Sequence, residues 1–203
     1  MKSGQNTDSE KKKRIGIYSG SFNPIHLGHT KLAEYLIDNK LVDEVWFVVS
    51  PCNPLKKKSN LLDEYIRLDM LILAIVKHPN FKASDVEFCM PIPSYSIDTL
   101  EYLSIQFADC QFSLIIGSDN ALVFDQWKEY TQLLKHYPIL VYPRTGYDFD
   151  LVADKYPEMK LLDSPLYDIS STQIRNFIAQ KKDVSQWLHP SVYQFIIENN
   201  FYQ

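Results

Sequence analysis

Gly20-Ser21-Phe22-Asn23-Pro24-Ile25-His26-Leu27-Gly28-His29 is the stretch on which the reading of this 203-residue chain turns. Just upstream, Arg14-Ile15-Gly16-Ile17-Tyr18-Ser19 is a short apolar run of the kind found in a buried strand. Gly20 breaks that run, and a residue without Cβ lets the backbone turn tightly and approach a bulky anion. A helix starting near Leu27 would aim its free N–H groups and positive dipole end at the same place. His26 and His29, at i and i+3 near that helix start, share a face and can reach one ligand.

Taken alone, a strand, a glycine turn and a helix are generic, and single histidines are usually surface or satisfied core residues. A zinc reading of the pair is disfavoured, because metal-binding helices usually place histidines four apart with an acidic or sulfur partner nearby. A second signal lies far downstream, at Ile169-Ser170-Ser171-Thr172-Gln173-Ile174-Arg175. It puts three hydroxyls at one helix start with Arg175 one turn inside, either an ordinary capped helix or a second anion site. The two signals together favour the second reading.

GSFNPIHLGH resembles the GxFxPxHxGH signature of the nucleotidyltransferase superfamily related in fold to class I aminoacyl-tRNA synthetases, and ISSTQIR resembles its second signature, ISSTxIR. Within that superfamily the chain is most similar to the bacterial nicotinate-nucleotide adenylyltransferases, from about Arg14 to Tyr202. The resemblance implies ATP contacts at Gly20, Ser21, Phe22, His26, His29, Asp119, Ile169, Ser170, Ser171, Thr172 and Arg175, of which His26, His29 and Arg175 carry the chemistry.

Composition agrees with one enzyme domain. With 45% hydrophobic and 13% aromatic residues the chain can bury a sizeable core, and no compositional break marks a second domain, so residues 14–203 read as one unit after a polar tail over 1–13. A net charge of −4 argues against broad nucleic-acid binding, which needs a basic surface. Cys52, Cys89 and Cys110 are odd in number and without a CxxC, which indicates neither a disulfide framework nor a zinc knuckle. No apolar run approaches the roughly 18 residues of a membrane span, and the N-terminus is too polar for a secretory signal, so a cytoplasmic protein is expected. The tail ends in Lys11-Lys12-Lys13-Arg14, read as solvated and without function.

Beyond the first unit the pattern alternates. Glu44–Ser50, Phe81–Phe88, Phe112–Gly117 and Tyr137–Tyr142 read as further strands, separated by helical patterns over Leu61–Lys77, Ser94–Phe107 and Gln126–Lys135. Alternation predicts an α/β fold: a Rossmann-like, doubly wound parallel sheet with a helical C-terminal part from Ser170 onward. Ligands of such sheets bind at the carboxyl ends of the strands, where Gly20, Ser50, Gly117 and Tyr142 fall.

The loop Ser50-Pro51-Cys52-Asn53-Pro54-Leu55-Lys56-Lys57-Lys58 is a rigid turn delivering lysines. Lys56 matches the lysine that the resemblance associates with the mononucleotide phosphate, although Leu55 stands where relatives often carry histidine; Lys57 and Lys58 are equally compatible with a solvated loop. Pro93-Ser94-Tyr95-Ser96-Ile97-Asp98-Thr99-Leu100 resembles SYTxDTL, which points to Thr99 for the pyridine substituent, with Asp98 as a simple helix cap the competing account. Gly117-Ser118-Asp119 matches GxD, whose carboxylate takes ribose hydrogen bonds. Trp127 falls where relatives stack on the pyridine ring, and Arg144 where they read RPG, with Thr145 replacing the proline.

The activity implied is adenylyl transfer from ATP to nicotinate mononucleotide, giving nicotinate adenine dinucleotide and pyrophosphate for NAD biosynthesis without a protein nucleophile. Mg2+ is expected to arrive with ATP on phosphate oxygens and water, with no dedicated protein ligand. ATP and the mononucleotide are the expected partners, with no nucleic acid or membrane, and a homo-oligomer is left open. The alternatives are a nicotinamide-mononucleotide or phosphopantetheine adenylyltransferase, or a non-catalytic nucleotide-sensing protein.

Overall fold

The computed structural model describes residues 12–51 and 61–203. Its elements run β1 (Lys13–Gly20), α1 (Leu27–Asp38), β2 (Glu44–Val49), α2 (Glu64–Ile75), β3 (Phe81–Ser84), α3 (Ser96–Gln106), β4 (Cys110–Gly117), α4 (Ser118–Ala121), α5 (Tyr130–His136), β5 (Ile139–Tyr142), α6 (Asp150–Ala153), β6 (Met159–Leu161), α7 (Ser171–Ala179) and α8 (Pro190–Glu198). The six strands form one sheet in the order β3-β2-β1-β4-β5-β6, every neighbouring pair parallel. This is the doubly wound α/β architecture expected from the alternating pattern.

Both faces are covered, and the two-residue strand period sorts the side chains. On β2, Val45, Phe47 and Val49 join the core that α1, α2, α7 and α8 cover, while Trp46 and Val48 face the opposite core, with Ile97, Leu100, Phe124 and Leu133 from the α3–α5 side. The chain winds outward from β1 to β3, then returns to place β4 on the other side of β1. That reversal opens a crevice at the carboxyl ends of β1 and β4, the switch point at which such folds bind ligands.

Several boundaries differ from the sequence reading, α5 starting at Tyr130 rather than Gln126 among them. The strand expected over Phe81–Phe88 stops at Ser84, where its pairing with Val48 ends, and Val86–Cys89 forms a 3-10 turn that carries Glu87 under the sheet end. The first helix after the second loop begins at Glu64 because the Asp63 carboxylate accepts from the Tyr65 N–H at 2.9 Å, a helix cap. The three-residue β6 was not anticipated; it is too short for any period to register. The polar tail lies, except for Lys12 and Lys13, outside the described residues, and Lys13 already belongs to β1. No described helix is long and apolar enough to cross a membrane.

Candidate active site

At the switch point a cavity of about 800 Å³ is lined by the loop after β1, the start of α1, the ends of β4 and β5, and the start of α7. The GSFNPIHLGH turn forms one wall. Its left-handed residue is Phe22, at φ 44°, rather than a glycine. Gly20 lines the cavity, and a Cβ there would meet the Phe22 ring at 3.1 Å, so its bare backbone also makes room for the ring to fold back.

His26 and His29 lie on one side, as their spacing suggested, and stack with centroids 3.6 Å apart. His26 is the N-cap of α1, and its backbone N–H donates to His29 Nδ1 at 3.2 Å. That bond assigns the neutral His29 tautomer: Nδ1 accepts, so the proton sits on Nε2 as a donor. Burial pushes the His26 imidazolium down to about 3, with the Arg144 cation adding to it, so His26 is a neutral imidazole at ordinary pH. Gly28 lies beneath this ring, and a Cβ there would approach His26 Nδ1 to 3.0 Å and Ile169 Cγ2 to 3.1 Å.

The start of α7 meets that wall directly. Ser171 Oγ donates to the Pro24 carbonyl at 2.9 Å, and Arg175 Nη1 donates to the Asn23 carbonyl at 2.8 Å. Burial lowers the Arg175 guanidinium below its ordinary value, yet it remains a cation. Ser170 caps the helix: its hydroxyl accepts from the Gln173 N–H at 3.2 Å, while Gln173 Oε1 accepts from the Ser170 N–H at 2.8 Å. The first-turn amides of Ser171 and Thr172 are left for an external acceptor. Gly20, Ser21, Phe22, Ile169, Ser170 and Thr172 all line the same cavity.

On the other side, Trp127 and Arg144 line the cavity as expected. Trp127 packs on Phe124 with centroids 5.1 Å apart, and its buried Nε1 has no hydrogen-bond partner among the described residues. Asp119 stands behind the lining rather than in it, paired with Arg144 at 3.2 Å. Gly117 permits this arrangement, since a Cβ there would collide with Asp119, Arg144 and Tyr142.

Thr99 departs from the sequence expectation. It is 1% exposed and outside the lining; its hydroxyl donates to Glu87 Oε1 at 3.1 Å and its N–H to the Tyr95 carbonyl. Burial of the α3 face that carries Leu100 and Leu103 turns it inward. Lys56 lies outside the described residues.

Sequence reasoning missed three groups. Glu87, 2% exposed, accepts from Ser19, Ser94 and Thr99 and ties three segments together in the cavity wall. Arg67 is fully buried and donates to the carbonyls of Leu62, Ser21, Ser50 and Pro51, clamping the loop after β1 to the loop after β2. Tyr18 on β1 and Tyr142 at the end of β5, with β4 between the two strands, share a hydrogen bond of 3.2 Å. The available signals were a charged residue at a core position of an amphipathic helix, for Arg67, and the strand-end position already noted for Tyr142.

The cavity therefore presents His29, the first turns of α1 and α7, Arg175 and Arg144 as converging donors, with an aromatic platform alongside. Such a surface suits a polyphosphate joined to a flat ring.

Comparison with known proteins agrees with this geometry. The cytidylyltransferase-like family model matches residues 17–177. A protein of Bacteroides fragilis named a probable nicotinate-nucleotide adenylyltransferase is 47% identical over 187 residues, 92% of each chain. One of the same name from Flavobacterium johnsoniae is 42% identical over 191 residues, 94% of this chain and 99% of the relative. In fold the chain is similar to the Plasmodium falciparum nicotinic acid mononucleotide adenylyltransferase solved with NaAD, with a TM-score of 0.81 at 23% identity over 94% of this chain and 97% of that one. With both signatures folded onto one cavity and relatives of this similarity spanning nearly its whole length, the chain belongs to the cytidylyltransferase-like family, among its nicotinate-nucleotide adenylyltransferases.

Proposed function

We propose that the protein transfers the adenylyl group of ATP to nicotinate mononucleotide, releasing pyrophosphate and forming nicotinate adenine dinucleotide, a step of NAD biosynthesis. The observation that carries the reading is the docking of the α7 start on the β1–α1 loop, with Ser171 on Pro24 and Arg175 on Asn23, which gathers two helix N-termini around one space.

The 5′-phosphate oxygen of the mononucleotide attacks the α-phosphorus of ATP, a P–O bond forms, the bond to the bridging oxygen breaks, and its electron pair leaves with pyrophosphate. Catalysis of this kind comes from alignment and from stabilising charge on the phosphoryl oxygens. His29 Nε2–H donates to those oxygens, neutral His26 holds the His29 ring, and Arg175 with the amides of Ser171 and Thr172 takes the leaving pyrophosphate. Gly20, Ser21, Phe22, Ile169 and Ser170 shape the ATP side, while Asp119, expected to meet the ribose, lies behind the lining and holds Arg144 through their ion pair. Trp127 stacks on the pyridine ring and Arg144 offers positive charge to the mononucleotide. Lys56 is assigned to the mononucleotide phosphate on resemblance alone.

Mg2+ is taken to enter with ATP on phosphate oxygens and water, where it offsets charge on the leaving group. Among the described residues no three His, Cys, Asp or Glu side chains converge as ligands. The cytoplasm, where both nucleotides are present, is the expected location, as monomer or homo-oligomer.

The test is pyrophosphate release with ATP and Mg2+ against nicotinate mononucleotide, nicotinamide mononucleotide and phosphopantetheine in parallel. Fastest release with the nicotinate compound supports the reading. Release with phosphopantetheine alone, or with none of the three, overturns it.

A further inference from the structure

We propose that the Tyr142 hydroxyl donates a hydrogen bond to an anionic oxygen of the bound substrate, a phosphate or the ring carboxylate, and is thereby a further binding residue of the site. This rests on the adenylyl-transfer reading given above.

The argument is an accounting of donors and acceptors around two phenols. Tyr142 ends β5 in register with Gly117 at the end of β4, and it lines the cavity. Its oxygen accepts from the Tyr18 hydroxyl at 3.2 Å, and the Arg144 cation acts on it electrostatically. A phenol oxygen has two lone pairs and one proton, so with one lone pair taken by Tyr18 its own O–H still has to find an acceptor. No described residue accepts that proton.

The surroundings fix the direction of the chain of bonds. Tyr18 is 5% exposed, packed against Phe22, Phe47 and His29, and its hydroxyl is spent on Tyr142. The pair therefore delivers one outward donor, at Tyr142. Burial raises both phenols above their ordinary value, so the proton stays in place at any working pH. Arg144 reaches Tyr142 as a cation while Asp119 holds it from the other side at 3.2 Å. A donor that accepts from a second hydroxyl beside a cation is polarised, which strengthens its bond to an anion more than to a neutral acceptor.

The test compares Y142F, Y18F and the double variant with wild type. Y142F removes the outward donor; Y18F breaks the same inter-tyrosine bond and keeps it; the double variant leaves no phenol hydroxyl orphaned. Y142F and the double variant are expected to lose about 10- to 100-fold in kcat/KM, the scale of one hydrogen bond to a charged group, with Y18F within about threefold of wild type. The double variant carries the test should Y142F be unstable.

Calorimetric titration with ATP, nicotinate mononucleotide and nicotinamide mononucleotide locates the oxygen without turnover. Loss confined to the nicotinate compound identifies the carboxylate, loss with both mononucleotides identifies their phosphate, and loss with ATP identifies the triphosphate. Y142F within threefold of wild type on every ligand, or Y18F as damaging as Y142F, overturns the proposal. Wild type unable to join any acceptor to ATP counts instead against the adenylyl-transfer reading, and the titrations still decide the role of Tyr142.

Discussion

Ser171 Oγ donates to the carbonyl oxygen of Pro24 at 2.9 Å, across 147 positions of sequence. One turn further along α7, Arg175 reaches the neighbouring Asn23 carbonyl. The two helix N-termini thus share a loop, so an anion held by one dipole end lies within reach of the other.

Replacing His29 with alanine removes the Nε2–H donor whose tautomer the His26 N–H assigns. The expected outcome is a fall in kcat of about two orders of magnitude or more, the scale of one lost transition-state donor. The protein should still unfold cooperatively in a circular dichroism melt. Wild-type turnover from the folded variant would remove His29 from the chemistry.

Gly28→Ala separates stability from activity. Alanine in a helix is favoured over glycine by about 0.5–1 kcal/mol. Here the added methyl would press on His26 Nδ1 at 3.0 Å and Cε1 at 3.1 Å and on Ile169 Cγ2 at 3.1 Å. We expect a denaturation midpoint close to wild type with kcat reduced at least about tenfold, because a displacement of a few tenths of an ångström upsets the stacked pair. Unchanged kcat would mean that the ring position does not matter.

Trp127→Ala should raise the KM for the mononucleotide by about tenfold and leave that for ATP nearly unchanged, since a stacking platform serves only the ring laid on it. Initial rates with each substrate varied in turn make the comparison. Equal effects on both constants would remove the stacking role.

Arg67→Ala should cost about 2–4 kcal/mol of stability, measured by urea denaturation, because buried carbonyls at Leu62, Ser21, Ser50 and Pro51 lose their donor together. Arg67→Lys should recover only part of this, for an ammonium lacks the planar fork that reaches both loops. Full recovery by lysine would show that charge alone suffices.

Burial of neutral His26 makes stability depend on acid. Its folded pKa lies at about 3 against an ordinary 6.5, so between these values the unfolded chain binds the extra proton and stability falls as pH falls. His26→Asn should flatten that limb by up to about 1.4 kcal/mol per pH unit. Urea midpoints from pH 7 to pH 4 for both proteins provide the check; parallel curves would show that His26 is not buried as a neutral base.

Much of this was legible in the chain itself. The apolar run at Arg14–Ser19, the histidines three apart and the hydroxyl-rich helix start at Ser170–Thr172 each rest on short-range rules of strand period, helix face and capping, which tertiary context left intact. Gly20 and Thr99 have surroundings that the local pattern did not reveal. At Gly20 the missing side chain accommodates the Phe22 ring, a contact two residues away that glycine statistics do not reveal. At Thr99 the local motif resembles a ligand contact, yet the α3 core face turns the hydroxyl toward Glu87, which arrives from a different segment.

Sequence alone determined the alternation of strand and helix, and with it a parallel sheet whose strand ends gather loops, because hydrophobic periodicity and helix caps act within a few residues. Only the tertiary structure decided which polar groups are already partnered: Asp119 with Arg144, Thr99 with Glu87, Tyr18 with Tyr142. Hydrogen-bond capacity is exhausted by whatever neighbour lies within about 3 Å, and for side chains brought together from distant segments that neighbour is set by packing.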